Sequence, residues 1–324
     1  MRSLAGVCQV KKITGKAPEE IQAIPRLMDA LREQLTFARQ SLPSSRCLPH
    51  AKLVELVQLA KSKVDSPVLR RFSAVQLIRL LQDGGIVKSI PLHQGVSAKV
   101  VRLYAVGFEP TDLAIPSAEL LQAHMPEGVL CYFSAIELHE LSTQPAPHYH
   151  IAQLRRASAK AEERVIGRSS VDRPLPLGTL EFSYGGVGHY VTRRDSTNLR
   201  SFQRRQLSPY CVVRVATIEQ TLLDCLHRPH SVGGAAVVFE AWESAVKRAL
   251  PEKIFDLANQ IGDREMIRRA GYMLERFFPN TGAVERARQA VGPCLDEVLP
   301  SLLPGIPFSR INKAWGLRTP QGYE

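Results

Sequence analysis

The segment spanning residues 73–104 constrains the fold of this chain more than any other. Ser73 and Gln76 have the spacing of a capping box at the start of a helix. The apolar residues that follow recur at i, i+3, i+4 and i+7, namely Ala74, Leu77, Ile78 and Leu81. Gly84-Gly85 ends the helix, since glycine tolerates the left-handed conformation that closes helices. A capped amphipathic helix is therefore predicted here.

The residues after this helix predict a β-hairpin. Residues 86–90 and 99–104 are rich in β-branched side chains, and the loop 91–98 between them contains Gly95. Two helices are predicted upstream, one over 19–42 and one after Pro49, from apolar residues at helical spacing. Three helices followed by a hairpin is the element order of a winged helix, which is a DNA-binding fold.

The charge of the chain is concentrated in the same region. The formal net charge is +11, and residues 1–110 contain 17 basic against 8 acidic side chains, whereas residues 111–324 contain 25 against 23. A basic module beside a nearly neutral one is typical of a nucleic-acid reader attached to another domain. A basic surface that binds nothing would have the same composition.

Eight residues of this region are the candidate DNA contacts. Gln76 and Arg79 lie on the polar side of the third helix, where Gln can read adenine and Arg can read guanine. The other candidates are expected to contact phosphates or to position the helix; they are Arg70, Arg71, Ser73, Lys88, Lys99 and Arg102.

The rest of the chain mixes strands and helices. Helices are expected over 117–124 and 134–141, strands over 148–153, 179–192 and 211–216, and an almost entirely helical region from Thr217 to about residue 303. The predicted fold class is α+β, with an N-terminal winged-helix domain and a larger mixed α/β C-terminal domain that has a mostly helical end. The predicted domains are a helical extension (1–48), the winged helix (49–110) and the C-terminal domain (111–324).

Other kinds of site lack support in the sequence. The cysteines are scattered without metal-ligand spacing, and we expect reduced, mostly buried thiols. His148 and His150 would share a face of a strand, but no partner ligands are identifiable. The glycines at 185–188 do not form a phosphate-binding motif. We expect no cofactor, no metal, no catalytic set and no association with membranes, and we expect a cytoplasmic protein because neither a signal peptide nor a long apolar run occurs.

Several segments, in order, resemble the AbiEi antitoxins. Residues 129–141 resemble the stretch that opens the second domain of that family, although Glu140 stands where glycine is usual. Residues 213–224 resemble the family's strand and Glu-x-Thr-Leu-Leu-Asp helix, and they are followed by Pro229 and Gly233-Gly234. Residues 269–275 resemble its Arg-x-Gly-Tyr-x-Leu-Glu helix. The resemblance covers about residues 50 to 280.

This resemblance implies a transcriptional repressor of a type IV toxin–antitoxin system. Its winged helix would bind inverted repeats in double-stranded DNA at its own promoter, with cooperative self-association on that DNA. Its second domain would counteract a nucleotidyltransferase-like toxin, with which it need not form a stable complex. From the residues themselves, we interpret Glu219, Thr221 and Asp224 as structural, with Thr217 capping their helix.

Two other classes of function remain open at this point. The same winged helix could tether a nuclease or a nucleotide-modifying enzyme to DNA. Alternatively, the chain could be a protein-interaction scaffold whose basic surface is incidental. The basic first third with its order of three helices and a hairpin, together with the ordered segments that resemble AbiEi proteins, makes the regulator our leading hypothesis.

Overall fold

A computed structural model describes residues 18–38, 42–97, 100–107, 115–155, 177–292 and 299–323. The chain divides into two compact units. Unit 1 comprises Met1–Pro91 and Arg102–Ile115, and unit 2 comprises Leu92–Val101 and Pro116–Glu324. Both contain helices and strands, so the fold is a mixed α+β fold, as predicted.

Unit 1 combines helices with a small antiparallel sheet. Its helices are α1 (Pro18–Ala38), α2 (His50–Val64), α3 (Pro67–Arg70) and α4 (Ala74–Asp83). Its strands are β1 (Cys47–Pro49), β2 (Val87–Ser89) and β4 (Leu103–Val106), in the order β1-β4-β2. Lys88 pairs with Ala105 and Leu48 with Tyr104. The sequence reasoning missed α3 and β1.

Local sequence explains both ends of α4. The Ser73 hydroxyl accepts a hydrogen bond from the Gln76 backbone N–H (3.3 Å), and the Gln76 side-chain oxygen accepts one from the Ser73 N–H (2.8 Å). This confirms the predicted capping box. At the other end Gly85, at φ +74°, adopts the left-handed conformation, and the Ile86 N–H donates to the Leu81 carbonyl (3.0 Å). These caps fix the length and direction of α4.

The first long helix is part of the core of unit 1. Leu27 and Leu31 of α1 are buried in one cluster with residues of α2, α4, β2 and β4. The predicted boundary at residue 48, which made residues 1–48 a separate extension, therefore lies between residues that pack together. Apolar side chains at helical spacing indicated α1, but not which partner would cover it.

The predicted hairpin is only partly correct. β2 and β4 pair as expected, but the connection between them leaves unit 1. Within it β3 (His93–Gln94) pairs antiparallel with β7 (Thr179–Tyr184) of the large sheet in unit 2. The predicted loop 91–98 thus contains a strand of the second unit, and Lys99 lies outside the described residues.

Unit 2 is built on a seven-stranded sheet. In addition to β3 and β7, its strands are β5 (Val129–Leu130), β6 (His148–Arg155), β8 (Val187–Asp195), β9 (Phe202–Ser208) and β10 (Cys211–Ala216). Their order in the sheet is β3-β7-β8-β6-β5-β10-β9. The pairs β6/β8 and β5/β10 are parallel, and the other neighbours are antiparallel.

Helices accompany this sheet and follow it along the chain. They are α5 (Ser117–His124), α6 (Phe133–Leu138), α7 (Ile218–His227), α8 (Ala235–Ala245), α9 (Pro251–Ile261), α10 (Arg264–Phe277) and α11 (Gly282–Val291), with a 3-10 turn at Pro229–Val232. A hairpin that the sequence reasoning missed, β11 (Phe308–Asn312) and β12 (Leu317–Pro320), follows them. Trp242 and Trp315 are buried in the core of this unit.

Candidate nucleic-acid interface

The exposed side of α4 carries the candidate base-reading residues. Leu77, Ile78 and Leu81 are buried in the core of unit 1, which turns Gln76 and Arg79 to solvent. Arg79 has no hydrogen-bond or ion-pair partner among the described residues. A guanidinium with five unsatisfied donors is suited to bidentate contact with a guanine edge or a phosphate.

Gln76 is less available than the sequence suggests. Its side-chain oxygen accepts the Ser73 N–H in the capping box (2.8 Å), which leaves the amide NH2 group for a ligand. Bidentate reading of adenine needs both the oxygen and the NH2 group of glutamine. While the box is closed, the NH2 group of Gln76 is free to donate to a base and its oxygen has one lone pair left for two-point reading.

Exposed cations lie in the elements adjoining α4 in unit 1. Arg71 follows α3, Lys88 lies on β2, and Arg102 immediately precedes β4; all three are exposed. None of the three has a side-chain partner in the part of the chain that the structure describes. Arg70 is also exposed, but it forms an ion pair with Asp65, so part of its charge is already neutralised.

Lys61 of α2 has a positioning role that the sequence reasoning missed. Its ammonium group donates to the carbonyl oxygens of Phe72 (2.7 Å) and Arg70 (3.3 Å). These carbonyls flank Arg71 in the turn before α4, so Lys61 links α2 to this turn. Only the folded structure shows the contact, because nothing in the local sequence pairs residue 61 with residue 72.

The polar side chains of the segment around Asp224 make contacts within the protein. Asp224 accepts two hydrogen bonds from the Arg194 guanidinium (2.7 and 2.8 Å), and both side chains are almost fully buried. Thr217 caps α7 by accepting the Gln220 N–H, as expected. Glu219 forms an ion pair with Lys253 (3.1 Å). The side chains of Glu219, Gln220, Thr221 and Asp224 are thus engaged within the protein.

The segment in α10 has a similar structural explanation. A Cβ at Gly271 would lie 2.2 Å from the Trp315 ring, so only glycine allows this close approach. The Arg269 guanidinium donates to the Ser301 carbonyl (2.9 Å), and the Tyr272 hydroxyl donates to the Tyr323 carbonyl (3.2 Å). Glu275 accepts the indole N–H of Trp315. These residues attach the segment 301–323 to α10.

Histidines form a second buried polar group in unit 2. His148 and His150 share a face of β6, as predicted, with ring centroids 4.7 Å apart. Burial lowers the pKa of both, and that of His150 well below its usual value. Burial also lowers the pKa of His189 to about 4, against the opposing effect of its contact with the Val187 carbonyl. These rings are neutral at pH 7.

Burial keeps the thiols of Cys131 and Cys225 in unit 2 protonated, because it raises the pKa of both. Cys47, Cys131, Cys211 and Cys225 are buried and not in disulfides, as expected, whereas Cys8 and Cys294 lie outside the described residues. Burial raises the pKa of the Cys131 thiol to about 12, so it carries no thiolate at neutral pH. Within the described ranges, no group of three or more His, Cys, Asp or Glu residues could hold a metal ion.

Comparison with known proteins gives a relationship at the level of the fold. No protein-family model and no curated protein sequence matches the chain. The structure is similar to the crystal structure of the RV2827C protein from Mycobacterium tuberculosis, with a TM-score of 0.52 and 16% sequence identity. The match covers 92% of this chain and 91% of that chain. No helix among the described residues is both long enough and apolar enough to cross a membrane.

Proposed function

We propose that this protein is a DNA-binding transcriptional repressor that acts as the antitoxin of an AbiE-type toxin–antitoxin operon, with unit 1 as a winged-helix reader. The observation that carries the proposal is the solvent-exposed face of α4, where Arg79 has no partner among the described residues. A charged group with no internal partner contributes little to folding and is available to a ligand.

The order of elements supports DNA as the ligand. Helix α4 begins at a closed capping box, follows the short α3 directly, and precedes the sheet strands β2 and β4. In a winged helix the corresponding helix enters the major groove. Arg79 would then read a guanine, with Gln76 donating to a neighbouring base.

The cations beside α4 would bind the phosphates. Arg71, Lys88 and Arg102 are exposed, and they are contributed by three separate parts of unit 1. Because the predicted wing contributes β3 to the sheet of unit 2, these three residues and Arg70 are the phosphate contacts that we propose among the described residues. Lys99 lies outside them. Four phosphate contacts correspond to a slope of log affinity against log salt of about −3.6.

The antitoxin part of the proposal rests on the ordered segments of unit 2 that resemble AbiEi proteins. The partner class is the nucleotidyltransferase-like toxin of such operons. Asp224 and Glu219 of α7 and Arg269 of α10 are engaged inside the protein. Antitoxicity would therefore reside in repression or in other surfaces, and not in these two helices.

The experiment is a fluorescence-anisotropy titration of the full chain against the duplex upstream of its gene. At about 150 mM salt we expect binding at least about 1,000-fold tighter than to a random duplex of equal length. Equal affinity for the two duplexes would refute the operator reader.

Two matched variants separate phosphate contacts from general charge. Lys88→Ala should weaken binding to promoter and random duplexes alike, and should reduce the salt slope by about 0.9. Lys247→Ala, an exposed lysine in unit 2, should change neither. If Lys88→Ala leaves the slope unchanged, DNA does not lie against β2.

A further inference from the structure

Strand β9 forms one edge of the seven-stranded sheet. In the described residues its only strand neighbour is β10, with which it pairs from Phe202 to Ser208. Edge strands present backbone N–H and C=O groups that another strand can bind. Phe202, Gln203, Arg204 and Gln206 are all exposed with respect to the described residues.

The edge is positively charged. β9 contains Arg204 and Arg205 and no acidic residue. The Arg205 guanidinium is engaged by the Leu138 carbonyl, and Arg214, which pairs with Arg204 across the two strands, forms an ion pair with Glu127 (2.8 Å). Arg204 has no hydrogen-bond or ion-pair partner within the described ranges. It is therefore the cation available to an incoming strand.

These charges distinguish between possible occupants. Full-length antiparallel pairing of β9 with a second copy would place Arg205 opposite Arg205, and like charges directly opposite one another are destabilising. DNA is less suited because residues 111–324 are nearly neutral, with 25 basic against 23 acidic side chains, so long-range attraction for a polyanion is weak. DNA also has no peptide backbone that could pair with an open strand edge. An acidic polypeptide segment satisfies both the charge and the backbone groups.

We propose that β9 is the docking edge for an extended acidic segment of a partner protein, which adds as a strand beside β9 and places a carboxylate against Arg204. The main-chain hydrogen bonds supply affinity, and alternation of side chains along the added strand supplies specificity. This interaction does not depend on DNA binding by unit 1.

The test uses the full chain and a fluorescein-labelled peptide of about eight residues in which glutamate and valine alternate. At about 50 mM salt we expect saturable binding, together with slowed hydrogen exchange of the β9 amides. The same peptide methylated on all of its backbone nitrogens keeps its charge but can donate no main-chain hydrogen bond from either side. If the methylated peptide binds as well as the parent, the attraction is electrostatic only and strand addition is refuted.

Two variants with the same change of charge locate the site. Arg204→Glu should weaken peptide binding about tenfold, because it replaces attraction by repulsion at the edge. Lys247→Glu, on the exposed surface of α8's C-terminal flank, should leave it unchanged. Equal effects of the two variants would overturn the assignment to β9.

Two further outcomes would also overturn the proposal. One is protection of the β9 amides by a random duplex DNA, which would make this edge a nucleic-acid surface. The other is concentration-dependent protection of the same amides without peptide, which would indicate a second copy of the chain. Unchanged β9 exchange at saturating peptide would equally refute it.

Discussion

Arg79 in unit 1 and Arg194 in unit 2 show two uses of the same side chain. Arg79 is exposed on α4 and has no partner among the described residues, whereas Arg194 is buried and binds both carboxylate oxygens of Asp224. An exposed cation adds little to stability, while a buried one must stay paired. Substitutions in the two units should therefore affect different measurements: ligand binding for unit 1 and unfolding for unit 2.

Loss of the buried Asp224 carboxylate is expected to have the largest effect on stability. Asp224→Asn keeps the shape of the side chain but leaves the Arg194 charge uncompensated, so unit 2 should lose about 3 to 5 kcal/mol of stability. Urea unfolding followed by tryptophan fluorescence measures this unit alone, because both tryptophans of the chain, Trp242 and Trp315, lie in it.

A matched control makes the same chemical change next to Arg194. Asp195 pairs with Arg155; the side chain of Asp195 is 16% exposed and that of Arg155 is 62% exposed, so the pair is accessible to solvent through the arginine. Asp195→Asn should cost less than about 1 kcal/mol, since exposed ion pairs are weak. A similar loss in both variants would show that burial is not what distinguishes Arg194 from the exposed arginines.

Acid should destabilise unit 2 through its buried histidines. His189 has its pKa lowered to about 4 by burial, so the unfolded chain binds one more proton than the folded one between pH 4 and its ordinary value. The contribution of neutral His189 to the free energy of unfolding is fully present above about pH 6.5. It falls by about 1.4 kcal/mol per pH unit as the pH decreases toward 4. His148 and His150 act in the same direction.

The variant His189→Phe isolates this contribution. Phenylalanine can occupy the stack with Phe182, whose ring centroid lies 4.6 Å from that of His189. The dependence of unfolding free energy on pH should become shallower by one proton between pH 5 and 6. An unchanged slope would mean that His189 does not differ in protonation between the folded and unfolded states.

The next largest effect is expected for a substitution on α4 that changes DNA binding without changing the stability of the fold. Arg79→Ala should lower the preference for the promoter over a random duplex by about 1 to 3 kcal/mol, since one bidentate base contact is lost. The unfolding free energy should change by less than about 0.5 kcal/mol. Binding is measured by anisotropy for both duplexes.

Arg193→Ala supplies the control for Arg79→Ala. Arg193 is an exposed arginine of β8 in unit 2, and its loss should leave both affinities unaltered. If Arg79→Ala weakens both duplexes equally, Arg79 contacts phosphate and the base reader lies elsewhere on α4.

Local signals in the sequence were sufficient for part of this structure. The capping box at Ser73 and the helix cap at Thr217 were predicted because each depends on residues within one turn. β9 was missed because its arginines and glutamines do not alternate with apolar residues. β3 was missed because its partner Ser183 is far from His93 in sequence, and such pairing leaves no local pattern.

The candidate site was predictable in composition but not in detail. The exposed cations of unit 1 could be read from the sequence because amphipathic helices turn polar residues to solvent. Two features could not be predicted: the engagement of the Gln76 oxygen in the capping box and the contact of Lys61 with Phe72. The Arg194–Asp224 pair was likewise invisible, because it joins a strand to a helix across the core.

The smallest expected effect tests whether an exposed charge in unit 2 matters at all. Glu140 is exposed and stands at φ +53°, in the left-handed region that favours glycine. Relief of this strain, about 1 kcal/mol or more, is partly offset by the greater chain entropy of glycine, so Glu140→Gly should stabilise unit 2 by about 0.5 kcal/mol. Glu140→Gln removes the charge but keeps the strain and should have no effect. If Glu140→Gln stabilises unit 2 as much as Glu140→Gly does, the charge of Glu140 and not its backbone conformation limits stability at this position. An exposed charge in unit 2 would then affect stability more than the contrast between Arg79 and Arg194 implies.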